Sequence, residues 1–387
     1  MNYFEGIDFF FLLFGILAVS LILGFLGEKQ RSWITMTSIV FVVLIYSRNM
    51  NQLFLLIMYL IVQWINIKSY AVLRKKYKRN KFYYYSSLFI AILPLFLNKI
   101  SGPLDMELYS FLGISYISFK TIQIVIEIYD GLIKKVEFRN FLPFMIFFPA
   151  MSSGPIDRYR RFREDAQRYK PPREYADLLG NGIFRIILGY TYKFIISYIL
   201  YEKLQLYAVG FELTDVLGYM YLYGFYLFFD FAGYSLMAVG ASNIMGIQTP
   251  MNFNMPFISV DIKDFWNRWH ISLSHWFRDF VFSRIVKNIM KKRVLKSMIA
   301  IAFLSYIINM FVMGAWHGLT ASYLLYGLFH GVLLAVNDLY EKKFTFYEKI
   351  KDRLAYKILS WFVTFHLVMF SFLIFSGRFL EVVKHYI

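Results

Sequence analysis

Apolar residues run along this chain in blocks of about 14 to 25, long enough for most of them to cross hydrocarbon as helices. The blocks lie at roughly Ile7–Leu26, Trp33–Tyr46, Leu53–Ile67, Phe82–Leu97, Leu108–Ile128, Ile183–Leu200, Val216–Gly240, Met298–Trp316, Ala321–Val336 and Ile358–Phe375. They predict an all-α polytopic membrane protein with about ten spans. An eleventh apolar piece, Phe141–Met151, is short and interrupted by Pro143 and Pro149, which fits a re-entrant or buried segment better than a crossing. Ile7 to Gly27 has no basic leader and no small-residue cleavage pattern, so it reads as a retained helix. With no long-period repeat and no soluble insertion, residues 1–387 read as one domain.

The polar stretches between the blocks set the orientation. The segments 68–81, 157–174, 284–296 and 341–357 carry seven, seven, six and six Lys or Arg. If the ten spans alternate and 141–151 does not cross, all four fall on one side. The positive-inside rule makes that side cytoplasmic, with both termini outside.

Composition sharpens this picture. A 58% hydrophobic content and a mean hydropathy of +0.49 exclude an ordinary soluble domain. Aromatic residues at 21% suit lipid-facing and interfacial surface. The net charge of +17 belongs to the loops, where it serves topology, lipid headgroups or an acidic protein, and nothing here calls for nucleic acid. The absence of cysteine removes disulfides, thiolate metal sites and a thiol nucleophile.

Candidate chemistry concentrates between Asp261 and Gly318. DIKDFWNRWHISLSHWFRDF opens this stretch and MGAWHG closes it, and the two contain His270, His275 and His317. His317 sits beside Gly314 and Gly318, an i, i+4 pair that lets backbones approach closely. GLFHG repeats the setting around His330, thirteen residues on, but thirteen steps turn a helix by roughly 220°, so the two rings do not share a face. His270 and His275, five apart, also lack the spacing of a zinc helix. A packed histidine is as good a reading as a functional one for either glycine-flanked ring, and His317 is the stronger candidate. An interfacial anchor helix explains His275, whereas Asn267, Arg268 and His270 exceed what an anchor requires.

Other polar groups are SSGPIDRYRRF at 152–162, whose arginines suit a phosphate or an acidic partner, and Asp230, costly in an apolar run unless paired. Lys120 and Glu127 share a helix face, and a structural interhelical pairing is their simpler reading.

FWNRWHISLSHWFRDF, followed 47 residues after its His270 by MGAWHG, with FFPAMSSGPIDRY and FFDFAGYS upstream, resembles the membrane-bound O-acyltransferase family over nearly the whole chain. SSGPIDRY resembles the D-alanyl-transferring branch, while alginate O-acetylating relatives share the histidine motifs. The resemblance implies a ring-like bundle of about 10–11 transmembrane helices, with re-entrant or short helices around a central tunnel. It implies that His317 is catalytic and that His270 occupies the second signature position. Asn267, Trp316, Asp230, Ser153 and Arg158 become candidates for substrate binding. The activity implied is transfer of D-alanine from an acidic cytoplasmic carrier protein to a hydroxyl across a Gram-positive plasma membrane, with lipoteichoic acid as eventual acceptor. Other membrane and extracellular proteins of D-alanylation are implied as partners. The phosphopantetheine of the carrier would serve as substrate arm, with no resident cofactor or metal. Acetylation of an exopolysaccharide is the alternative within the family. A transporter or flippase is the alternative outside it, although the inverted repeats it would call for are not evident.

Overall fold

The computed structural model describes residues 6–27, 30–101, 110–293 and 295–387, and among them the regular structure is entirely helical. The chain divides into two compact units, the first made of residues 1–190 and 233–250, the second of 191–232 and 251–387.

The first unit contains α1 (Ile7–Phe25), α2 (Arg31–Tyr46), α3 (Met50–Tyr77), α4 (Lys81–Ser101), α5 (Ile114–Asp130), α6 (Phe138–Ile146), α7 (Tyr159–Gln167) and α8 (Pro172–Tyr190). Its centre is α5, thirteen of whose seventeen residues are buried. Gly113 and Gly131, both in left-handed backbone that favours glycine, stop this helix at each end. The broken segment behaves as its prolines dictate: α6 ends at Ile146 and a single 3₁₀ turn, Phe148–Ala150, follows. Pro149 has no N–H to offer Met145 O, and the Phe148 N–H turns instead to Ser38 Oγ at 3.3 Å. Lys120 of α5 fills the gap, its Nζ donating to Phe144 O at 2.9 Å and Met145 O at 3.3 Å. A lysine in an apolar helix thereby caps a neighbouring helix from which proline has removed the usual donor. Glu127 lies 3.6 Å from Arg160, so Lys120 and Glu127 both find partners outside their own helix.

Glycines bring α8 against residues 233–244, the end of α10 (Leu213–Ile244). A Cβ on Gly189 would stand 2.6 Å from Gly233 O, and one on Gly240 would stand 2.6 Å from Gly182 O.

The second unit holds a π-helical stretch, Thr191–Ile196, then α9 (Ser197–Gln205) and the first part of α10. The rest comprises α11 (Ile262–Arg268), α12 (Ile271–Phe277), α13 (Ser283–Lys292), α14 (Met298–His317), α15 (Ala321–Lys343), α16 (Thr345–Ile350), α17 (Leu354–Phe375) and α18 (Arg378–Tyr386). Helices α14 and α15 form a tight hairpin. Cβ atoms on Gly314 and Gly327 would lie 2.4 Å from Tyr323 O and Met310 O, and one on Gly331 would lie 2.9 Å from Ile307 Cα.

Among the described residues seven helices are long and apolar enough to cross a membrane: 7–25, 50–77, 81–101, 172–205, 213–244, 298–317 and 354–375. Each contains or overlaps a block expected from the sequence. The other three blocks also form helices, with physical reasons for falling short. Arg31–Tyr46 has only 16 residues, α5 has 17 and carries Lys120 and Glu127, and α15 runs on to Lys343 through Asp338 and Glu341, which dilute its apolar character. Positions 108 and 109 of the fifth block lie outside the described residues.

Candidate active site

Both signature histidines belong to the second unit. Asp261 starts α11 as its N-cap, its carboxylate accepting from the Asp264 N–H at 2.8 Å. Phe265 and Trp266 on the buried side of this short helix pack onto His330 of α15. The Trp266 Nε1–H donates to His330 Nδ1 at 3.3 Å, and the Phe265 ring stacks parallel to the imidazole. At the far end Lys263 bridges Asp338 at 2.8 Å and Glu341 at 2.6 Å, so α11 is fastened to α15 at two levels.

Between α11 and α12 the chain breaks at Trp269 and His270. His270 takes left-handed backbone (φ 44°, ψ 51°), costing roughly 1–2 kcal/mol in a residue with a Cβ. The loop before α11 holds it there. Ile271 N–H donates to Asn252 O at 2.9 Å, Asn254 N–H donates to Arg268 O at 3.0 Å, and Ser272 Oγ donates to Asn252 Oδ1 at 2.6 Å. The His270 ring is 4% exposed, meets Phe231 edge-to-face at 4.7 Å, and keeps Nε2 buried without a hydrogen-bond partner. Burial pushes its proton affinity well below the ordinary histidine range, and charge on His317 lowers it further, so His270 is neutral at physiological pH. A strained backbone carrying an unsatisfied buried ring nitrogen is the kind of cost that persists at functional sites.

His317 is the last residue of α14, half-buried, with its ring 5.1 Å from Phe375 and 4.6 Å from Trp316. Tyr326 of α15 meets the His317 ring at 6.2 Å and the His330 ring at 4.6 Å, and Trp266 bonds His330, so the ends of the two signatures pack on the same stretch of α15. Asn267 lies on the exposed side of α11. Asp230 is ion-paired with Lys193 at 2.7 Å, which meets the requirement that an acid in this run be paired, while the next residue, Phe231, reaches His270. Ser153 and Arg158 lie in the other unit. Ser153 is bonded to the Tyr116 hydroxyl, and Arg158 reaches Gln123 Oε1 at 3.4 Å. The neighbouring Arg161 is held by Asp157 and Asp165, so carboxylates of the chain itself occupy much of this arginine cluster. Among the described residues no three His, Asp or Glu side chains converge as metal ligands.

Asn252, Phe231 and Trp266 are parts of the site that spacing alone does not single out. Phe231 and Trp266 do stand inside the quoted motifs. Asn252 sits in TPMNFNMPF, which reads simply as a loop.

The family model of the membrane-bound O-acyltransferases matches residues 32–377. This chain belongs to that family. As an O-acyltransferase it is 44% identical over 382 residues to the teichoic acid D-alanyltransferase of Bacillus subtilis, covering 95% of this chain and 96% of that one. It is 41% identical over 392 residues to the teichoic acid D-alanyltransferase of Streptococcus thermophilus, with 96% and 94% covered. A probable alginate O-acetylase of Pseudomonas syringae matches at 31% over 276 residues, covering 70% of this chain and 50% of its own. The O-acyltransferase is thus a multi-pass membrane protein whose similarity to the D-alanyl transferases runs almost end to end.

Proposed function

We propose that this O-acyltransferase moves D-alanine from the phosphopantetheine thioester of an acidic cytoplasmic carrier protein to a hydroxyl on the other face of the membrane, for D-alanylation of teichoic acid. The observation that carries the reading is the buried, strained His270 with its unpartnered Nε2 on one of the family's signatures, in a chain matching teichoic acid D-alanyltransferases over 95% of its length. The family model crosses both compact units, which supports treating 1–387 as one catalytic domain.

The thioester is already activated, so the protein must supply proximity, a base and stabilisation of the tetrahedral oxyanion. His317 takes the hydroxyl proton as the oxygen attacks the thioester carbonyl. His270, neutral and with Nε2 unclaimed, donates to the oxyanion that develops. As the intermediate collapses, the C–S bond breaks and His317 returns the proton to the leaving thiolate. Trp316 flanks the base, and Asn267 is assigned to the donor arm. Asp230, Ser153 and Arg158 act further out in substrate contacts. The acceptor is teichoic acid, or a hydroxyl on a partner protein that passes D-alanine to it.

Purified protein incubated separately with D-alanyl carrier and with acetyl donors tests the proposal. D-alanyl transfer alone supports it. Acetyl transfer alone assigns the alginate-type activity, and movement of substrate without ester formation assigns transport.

A further inference from the structure

A groove of about 360 Å³ runs between α3 and α4, in the unit that does not hold the two histidines. Val62, Asn66, Tyr70 and Leu73 line it on α3, and Ser87 and Ile90 on α4. From Val62 to Leu73 is about 16 Å at the helical rise, half of a hydrocarbon core roughly 30 Å thick. The groove is therefore one leaflet long. It is apolar along most of its wall, yet two buried hydroxyls among its lining residues, Tyr70 Oη and Ser87 Oγ, have no hydrogen-bond partner. Tyr70 and Ser87 are 2% and 4% exposed, so bulk water does not satisfy them. Immediately beyond Leu73 the last turn of α3 carries Lys75 and Lys76, the connection carries Lys78 and α4 begins at Lys81, all exposed and in no ion pair among the described residues.

We propose that this groove binds an anionic phospholipid of the cytoplasmic leaflet. One acyl chain lies between α3 and α4, the glycerol ester region lies at the level of Tyr70 and Ser87, and the phosphate rests on the lysines at this end of the two helices. The order of chemistry along the groove matches the order along a lipid: hydrocarbon, then neutral polar side chains about one and a half helical turns below the cations, then positive charge. The basic turn places this end in the inner leaflet, where anionic headgroups are found. Size argues against a partner's transmembrane helix. A helix about 10 Å wide and equally long fills on the order of 1,200 Å³, several times the groove. A zwitterionic lipid would leave the lysines without a counter-charge.

The test uses the full chain in neutral detergent, supplied with phosphatidylglycerol or with phosphatidylcholine of the same chains, and counts retained lipid by native mass spectrometry. Wild type should retain phosphatidylglycerol in preference to phosphatidylcholine. Lys75→Gln/Lys76→Gln/Lys81→Gln should reduce that retention on the order of tenfold or more. Ser86→Trp on α4 and Ser69→Trp on α3, both at groove-lining positions on exposed residues, should abolish it. Phe89→Trp, on the exposed surface outside the groove, should leave it unchanged. Two filling variants on facing helices keep the test decisive if one does not fold. Equal retention of both lipids by wild type, or undiminished phosphatidylglycerol in a monodisperse filling variant, would overturn the proposal.

Discussion

Adding one methyl group at Gly314 should disturb both the stability of α14 and its chemistry. In Gly314→Ala the new Cβ would stand 2.4 Å from Tyr323 O and 3.0 Å from Gly327 Cα, both backbone atoms of the facing helix. Ordinary contact distances are about 3.5–4.0 Å, so the α14–α15 hairpin must open by about an ångström. Overpacking of this kind costs roughly 1–3 kcal/mol, offset by up to about 1 kcal/mol from the better helix propensity of alanine. The larger consequence is positional. His317 lies three residues further along the same helix, and a displacement near 1 Å in a reacting group can lower the rate on the order of 10²-fold. Gly180→Ala is the control, because a Cβ there meets nothing within 4 Å and should be neutral or slightly stabilising. The assay is apparent unfolding temperature in detergent together with D-alanyl transfer rate for both variants. Gly314→Ala with the melting temperature and rate of wild type would show that the close glycine contact does not hold His317 in register.

Three further outcomes follow from the same geometry. His330→Ala removes the acceptor of the Trp266 N–H and should cost about 1–3 kcal/mol plus a cavity, whereas Trp266→Phe combined with His330→Ala should be less than additive; strict additivity in a double-mutant cycle would dissolve that contact. Burial alone would raise the Asp338 carboxyl, but hydrogen bonds from Lys263 and Lys342 outweigh it and hold the group below the usual carboxylate range. Its stabilising contribution is present above an unfolded pKa near ~3.9 and disappears as pH falls through the lower folded value, so acid should destabilise wild type more than Asp338→Asn in a melting series from pH 6 to pH 3. Lys291→Cys, in a chain with no cysteine of its own, should resist an impermeant thiol reagent in intact cells and react after permeabilisation; labelling from outside would invert the topology.

Helix placement was legible because hydrocarbon imposes the same demand on every span, and each of the ten apolar blocks forms a helix over most of its described part. The limits of seven long apolar helices were harder to read, since polar residues such as Lys120 and Asp338 count against a span by composition while the fold gives each a partner. His270 and His317 were joined as candidates only through motif wording: two histidines 47 residues apart have no periodicity that links them. His330 shows the opposite limit. Its glycine-flanked setting suggested packing, and packing is part of its role, but the bond from Trp266 ties it to α11 and so to the break that carries His270. Asn252 was invisible to pattern reading because its role, pinning the backbone of Ile271 and the hydroxyl of Ser272, depends on a loop's return across twenty residues.

If His317 is the base for acyl transfer, His317→Ala in the purified full chain separates chemistry from binding, with D-alanyl transfer and carrier binding measured on the same monodisperse preparation. A general base contributes roughly 10²- to 10⁴-fold to rate and acts on the hydroxyl alone. Transfer should fall in that range with carrier affinity and detergent elution profile unchanged. Transfer at the wild-type rate by a well-folded His317→Ala protein would contradict it.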